Sequence, residues 1–250
     1  MIKIINDEVY RPRERWTEQV HKFLNFLHQQ GFTNVPKPIR IEKDFEVVSY
    51  VPGKTYDDLL LKSKVCLISS AKLLRAYHDT SQNFLNENDT LLENWMFPSS
   101  YPQEVICHND FAPYNICFQD DEAIGIIDFD TAHPGPRIWD IAYALYRFSP
   151  FTNFEDDKKF GDIDSQIRRA SLFCKVYGLD IKDRFQLVDT MIERLNVLHN
   201  FLLESAHQGH KKYQLNIKEG HDVQYLNDIE YIDSHKNIIQ DAFTKKFISD

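Results

Sequence analysis

Two short apolar runs, Ile116-Cys117-Phe118 and Ala123-Ile124-Gly125-Ile126-Ile127, flank the polar break Gln119-Asp120-Asp121-Glu122. Apolar segments this short on either side of a polar break predict an antiparallel hairpin. Asn115 stands just before the first run and Asp128 just after the second, while Asp110 lies a little upstream. With the turn centred between Asp121 and Glu122, Ile116 faces Ile127 and Asn115 faces Asp128. Directly opposed residues lie roughly 4.5–5.5 Å apart at Cα and point to one face of the ribbon. The hairpin would then deliver an amide oxygen and a carboxylate to a single point. A register slip of one residue would send them to opposite faces.

Those residue types suit phosphoryl transfer. Asp110 can accept a proton from an attacking hydroxyl, and Asn115 and Asp128 can hold magnesium, a hard ion that takes one or two protein oxygens and leaves the rest to water and phosphate. Asp130 is placed to reach the metal through water. The pattern His108-Asn109-Asp110-Phe111-Ala112-Pro113-Tyr114-Asn115, followed by Ile127-Asp128-Phe129-Asp130, resembles the catalytic segment of the aminoglycoside phosphotransferase and choline kinase-like family. The later segment Gly135-Pro136-Arg137-Ile138-Trp139-Asp140-Ile141-Ala142 is similar, in looser form, to a second motif of that family.

The resemblance implies an α+β, protein kinase-like fold with two lobes. A truncated N-terminal nucleotide-binding lobe, residues 1–52, would hold a short sheet and one helix, and residues 53–250 would form the larger helical lobe of catalysis and substrate binding. It implies ATP and Mg2+ as cofactors and a hydroxylated small molecule as acceptor. His108 becomes a structural residue bonded to backbone near the metal, and Asp140 a brace beneath the catalytic loop that also suits a helix start. Ser49, Tyr50 and Val51 fall where backbone meets the adenine. Arg11 or Arg13 takes the place of the phosphate-clamping lysine, and Glu18 on the next helix is its expected partner. The strand–turn–strand unit that covers the phosphates in that family is absent or severely shortened: the chain has eight glycines, the first at Gly31, and no G-x-G. A lid so reduced leaves the phosphates more solvated, and leaves open a non-catalytic, nucleotide-binding or immunity module.

Taken singly, the residues have plainer readings. Asp128 is an ordinary strand end, Asn115 a turn residue and His108 a satisfied core histidine; the spacing of the set makes it specific. Ile126-Ile127-Asp128-Phe129-Asp130-Thr131 also touches the D-x-D-x-[TV] motif of haloacid dehalogenase-type phosphatases, but Ala132 stands where that motif requires Thr or Val.

With 38 acidic against 29 basic residues, a formal net charge of −9, and no Lys/Arg stripe, the chain is a poor match for nucleic acid. The same charge suits a cationic acceptor, which Asp156, Asp157, Asp162, Asp164 and Glu193 could meet. Cys66, Cys107, Cys117 and Cys174 lack C-x-x-C spacing and sit in apolar surroundings, as buried free thiols in a reducing cytoplasm do. The N-terminus does not read as a signal peptide, and no apolar run approaches the ~18 residues a membrane span requires. A cytoplasmic protein is expected.

Further elements follow from periodicity. A strand ends at Val9-Tyr10-Arg11, and a helix over 18–30 carries Val20, Phe23, Leu24 and Leu27 on one face, stopped by Gly31. A strand covers 45–51. Helices are expected through 59–61 and 67–78, over 164–178 and 185–208, and across the tail from 220 to 247. Leu187, Met191, Leu195, Leu198 and Leu202 form a core stripe, and His207 and His210 are surface residues.

Overall fold

Val9, Val47 and Val48, β-branched residues on short segments, meet across an antiparallel sheet, the environment that suits them. The computed structural model describes residues 2–56, 63–87, 94–100, 102–152 and 161–244. Its N-terminal sheet contains β1 (Lys3–Ile5), β2 (Glu8–Pro12), β3 (Pro38–Ile41) and β4 (Phe45–Ser49), in the order β1-β2-β4-β3. Asn6 and Asp7 turn the first hairpin with φ of 50° and 62°, the left-handed pair that a two-residue hairpin turn needs. The β2–β4 register sets Arg11 opposite Glu46.

Helix α1 (Thr17–Gln29) follows β2 and buries Val20, Phe23, Leu24 and Leu27, the stripe expected from spacing. Gly31, at φ 83°, ends it in the left-handed region. The Phe32 N–H then reaches Leu27 O at 2.9 Å and the Gly31 N–H reaches His28 O at 3.1 Å, satisfying two carbonyls of the last turn. Phe23 meets Tyr77, Phe84, Trp95 and Phe129 edge-on, at centroid separations of 6.1, 5.2, 5.9 and 6.3 Å. Edge-to-face packing adds to simple area burial. Helix α2 (Lys64–Glu87), longer at both ends than the expected 67–78, supplies Tyr77 and Phe84 to this cluster. Of the apolar residues at 59–61, all lie outside the described residues.

The hairpin exists as β6 (Ile116–Gln119) and β7 (Glu122–Ile126), but its register differs from the expectation. Asp120 and Asp121, at φ 49° and 65°, form the turn, so Gln119 pairs with Glu122. A bulge then shifts the ladder, and Ile116 faces Ile126 rather than Ile127. Asn115 O accepts from Ile127 N at 2.9 Å, so Asn115 is not opposite Asp128. A bulge adds one residue to one strand, which sequence alternation does not reveal. Asp128 leaves extended geometry altogether at φ 64°, and strand parity no longer decides its direction. Strands β5 (Val105–Cys107) and β8 (His133–Gly135) form a second two-stranded ribbon.

The segment following β4 docks on the hairpin through reciprocal bonds between Lys54 and Phe118, each 2.9 Å. Gly125 makes that approach possible: a Cβ there would stand 2.4 Å from Cγ1 of Val51. Val is stiff at χ1 and cannot easily swing away.

Two compact units divide the chain, 1–140 and 141–250, a division different from the 1–52 and 53–250 lobes expected. The reason lies in α2, which packs on α1, β5 and β7 and draws all of them into the first unit. The second unit contains most of α3 (Arg137–Phe148), then α4 (Ile163–Tyr177), α5 (Ile181–His207), α6 (Lys211–Lys218), α7 (His221–Ser234) and α8 (Lys236–Thr244). The single tail helix expected from residue 220 is two helices, with residues 245–247 outside the described set. In α5 the stripe Leu187, Met191, Leu195 and Leu202 is buried, with Leu198 half-buried. All four cysteines are free and buried. No helix among the described residues is long and apolar enough to cross a membrane.

Gly125→Ala should destabilise the first unit by about 1–3 kcal/mol, the usual cost of overpacking. Because the clash is with one methyl of Val51, adding Val51→Ala should recover most of that loss in denaturant melts. Strictly additive losses in the double variant would disprove the close approach.

Candidate active site

Strand β5 ends at Cys107, and the chain then runs through His108, Asn109 and Asp110 as a loop that packs against its own neighbours. Asn109 takes φ 66°, a conformation Asn tolerates better than most residues. Its cost is met by anchors on both sides: the Asn109 N–H donates to Asp140 Oδ1 at 2.8 Å, and Trp139 Nε1 donates to Asn109 Oδ1 at 3.1 Å.

Asp140 lies in the first turn of α3, not at its N-cap, and is wholly buried. Its other oxygen accepts from the His108 N–H at 2.7 Å and from His78 Nε2 at 3.0 Å. Burial pushes the Asp140 carboxyl up, but the hydrogen bonds from His78 and the His108 backbone outweigh it and hold it below the usual range. Burial keeps the His78 ring below the ordinary histidine value, against the pull of Asp140.

His108, also fully buried, joins the loop to the end of β7. Its Nδ1 lies 3.3 Å from the Asp110 N–H and its Nε2 lies 3.0 Å from Ile127 O. A carbonyl only accepts, so Nε2 carries the proton and Nδ1 the lone pair. The ring bridges Asp110 and the residue preceding Asp128.

Asp110 itself is half-buried. Oδ1 accepts from the Tyr114 hydroxyl at 2.6 Å, and Oδ2 from Asn115 Nδ2 at 2.9 Å. Pro113 opens the 3-10 turn Pro113–Asn115, whose tight rise folds Tyr114 and Asn115 back over Asp110. Asn115 Nδ2 also donates to Asp110 O at 3.0 Å. With its nitrogen committed to Asp110, the amide oxygen of Asn115 is the atom left for a cation.

Asp128, about half exposed, and Asp130, a third exposed, meet Arg11. Arg11 Nη2 lies 3.3 Å from Asp128 Oδ1 and 2.5 Å from Asp130 Oδ2, while Nε lies 3.5 Å from Glu46 Oε1. Glu46, buried, also meets His21 Nε2 of α1 at 2.7 Å. Burial works against the charge of Arg11, and Asp130, Asp128 and Glu46 outweigh it, so its pKa rises. Burial pushes the Asp130 carboxyl up, reinforced by Asp128 and Glu46, despite the opposing pull of Arg11.

Of the two arginines considered as the partner of Glu18, Arg13 forms the pair and Arg11 does not. Glu18 is exposed and binds Arg13 at 2.8 Å, because cross-strand pairing gives Arg11 to Glu46 instead. The hinge residues are partly spent as well: the N–H groups of Ser49 and Tyr50 donate to Lys37 O and Asp7 O, at 2.9 and 2.7 Å. Val51 O lies 3.8 Å from Cys117 Sγ, within reach of its S–H. Of the acidic residues considered for an acceptor, Asp162 caps α4 by accepting from Ser165 N at 2.9 Å, Asp164 and Glu193 are exposed, and Asp156 and Asp157 lie outside the described residues. His207 and His210 are exposed.

Tyr114, Glu46, His21 and His78 were not singled out by the sequence. Glu46 was detectable in principle, being the one acid on an otherwise apolar strand.

Among the described residues, no three His, Cys, Asp or Glu side chains converge as a metal cluster. A metal here would rest on few protein oxygens, the carboxylate of Asp128 and the amide oxygen of Asn115. That hard, sparse donor set fits magnesium carried with a nucleotide.

Residues 83–170 match the phosphotransferase enzyme family. A trifolitoxin immunity protein of Rhizobium leguminosarum bv. trifolii is 25% identical over 192 residues, covering 74% of this chain and 72% of that protein. A choline/ethanolamine kinase family protein from Mesorhizobium loti superposes with a TM-score of 0.65 at 10% identity, over 98% of this chain and 89% of its own. The GDP complex of an aminoglycoside 2'-phosphotransferase variant gives a TM-score of 0.64 at 12% identity, over 96% and 89%. The chain thus has a protein kinase-like fold, shared with the choline/ethanolamine kinase family protein and the aminoglycoside phosphotransferase it superposes on, and its segment around Asp110 lies within the stretch that resembles the phosphotransferase enzyme family.

Proposed function

We propose that this protein is an ATP- and Mg2+-dependent phosphotransferase that moves a phosphoryl group to the hydroxyl of a small, hydroxylated molecule, with an amine-bearing acceptor favoured by the chain's negative charge. The observation that carries this reading is the fixed loop around Asp110, whose carboxylate is clamped by Tyr114 and Asn115 and yet remains partly exposed. Catalysis of this kind is chiefly positioning and charge stabilisation.

In this reading Asp110 orients the acceptor hydroxyl and takes its proton as the new O–P bond forms and the bond from the γ-phosphorus to the bridging oxygen breaks, ADP being the leaving group. Asn115 Oδ1 and Asp128 hold the metal, which when bound would neutralise charge developing on the phosphate oxygens. His108 and Asp140 keep Asp110 and Asp128 at fixed spacing. Arg11 serves the phosphates, and the backbone over Ser49–Val51 receives the base, Ser49 and Tyr50 through groups other than their committed N–H.

The name of the Rhizobium relative favours a second reading, an immunity module that binds its target without turnover. Protection of cells that survives Asp110→Ala would support that alternative.

Two variants test the main proposal. Asp110→Ala should lower turnover about 10²–10⁴-fold while nucleotide affinity stays within a few-fold. An ATP-consumption screen over aminoglycosides, amino alcohols, sugars and nucleosides measures this, and equal activity in the variant removes Asp110 from the mechanism. Asp128→Asn takes away the anionic metal ligand and should weaken Mg·ATP binding itself. Titration calorimetry with an unchanged Mg2+-dependent affinity would show the metal assignment to be wrong.

A further inference from the structure

Three carboxylates, Glu46, Asp128 and Asp130, share one guanidinium. All three belong to the first unit and come from separate places in the chain, β4 and the segment after β7, so their convergence on Arg11 is a product of folding. The contacts are unequal. Asp130 is held closest, Glu46 is fixed by cross-strand register and by His21, and Asp128 is held loosely at 3.3 Å with half its side chain in solvent. Glu46 has His21 as a second partner and Asp130 has the closest contact, so Asp128 is the member least bound to Arg11.

We propose that Arg11 is the resident counter-ion of the metal site: it balances Asp128 when no divalent cation is present, and it gives up Asp128, while keeping Glu46 and Asp130, when one binds. This deepens the functional proposal above and rests on its assignment of Asp128 to the metal. Arg11 and the cation therefore compete for one carboxylate, and Arg11 lowers the affinity of the bare protein for metal. Released from Asp128, the same guanidinium stays tethered beside it, free to turn a fork of N–H donors toward phosphate oxygens. Metal arriving alone meets a competing cation, whereas metal arriving with a polyphosphate brings a new partner for Arg11. The exchange gives the site a preference for the metal–nucleotide complex over either component. The chain needs such a device more than most, since its short β1–β2 hairpin contains no glycine to wrap the phosphates.

The sign of the effect separates this role from a merely structural one. Mn2+ binding to the nucleotide-free protein, followed by water-proton relaxation, should tighten about fivefold in Arg11→Met, as expected for removing a partly exposed ion pair. Arg11→Lys, which keeps the charge, should stay near the parent. The gain should vanish when Asp128→Asn is added to Arg11→Met. If Arg11 only holds the strand in place, Arg11→Met weakens Mn2+ binding or leaves it unchanged, and the proposal is overturned. A second measurement needs no variant: the Arg11 side-chain Nε–H resonance of the parent should move as Mg2+ saturates the protein, and a stationary resonance overturns the exchange equally. Should Mn2+ bind neither the parent nor Arg11→Met, the metal assignment itself fails and this proposal with it. Binding through Asp128 that is indifferent to Arg11 defeats the counter-ion role alone.

Discussion

The buried carboxylate of Asp140 is the interaction on which the site depends. Removing a carboxylate from water costs several kcal/mol unless donors replace its hydration. Here three do so, the N–H groups of His108 and Asn109 and the ring of His78. Satisfying this charge anchors the loop, since both backbone donors reach it with Asn109 at φ 66°. That unusual conformation is then passed on: it aims the His108 ring at Ile127 O and sets Asp110 under Tyr114 and Asn115. The compensation of one buried charge thus determines the geometry of the next six residues.

How much of this was legible in the sequence depends on what each feature required. The α1 stripe and its Gly31 stop needed only local periodicity, and both appear. The hairpin needed only two apolar runs and a polar break, and it too appears. Its register required a turn centre and a bulge position, set by the left-handed pair Asp120–Asp121 and by the close approach of Val51 to Gly125, neither of which has a periodic signature. The direct opposition of Asn115 and Asp128 was wrong for that reason. What joins their neighbourhoods is a ring, His108, whose two nitrogens serve the Asp110 backbone and the residue before Asp128.

The Arg11 partner was illegible for a related reason. A helical residue seven positions on is a natural guess, and Arg13 does pair with Glu18 on the surface. The partner of Arg11 is fixed by strand pairing across more than thirty residues of sequence, information that no local spacing carries. Tyr114 was hidden differently. Between Pro113 and Asn115 it reads as a turn residue, and only the 3-10 geometry brings its hydroxyl to 2.6 Å from Asp110.

The two groups around which the site is built differ in kind. Asp140 is wholly enclosed and accepts from the His78 ring and from the N–H groups of His108 and Asn109. Asp128 is half in solvent and, among the described residues, is held by Arg11 at 3.3 Å, more loosely than Asp130 is. Under the proposed function this contrast suits phosphoryl transfer to a separate acceptor, in which the proton acceptor would be in place beforehand while the metal side would admit and release a charged nucleotide at each turnover. On that reading the chain spends its buried donors on the first requirement and leaves the second to Arg11, which Asp130, Asp128 and Glu46 share.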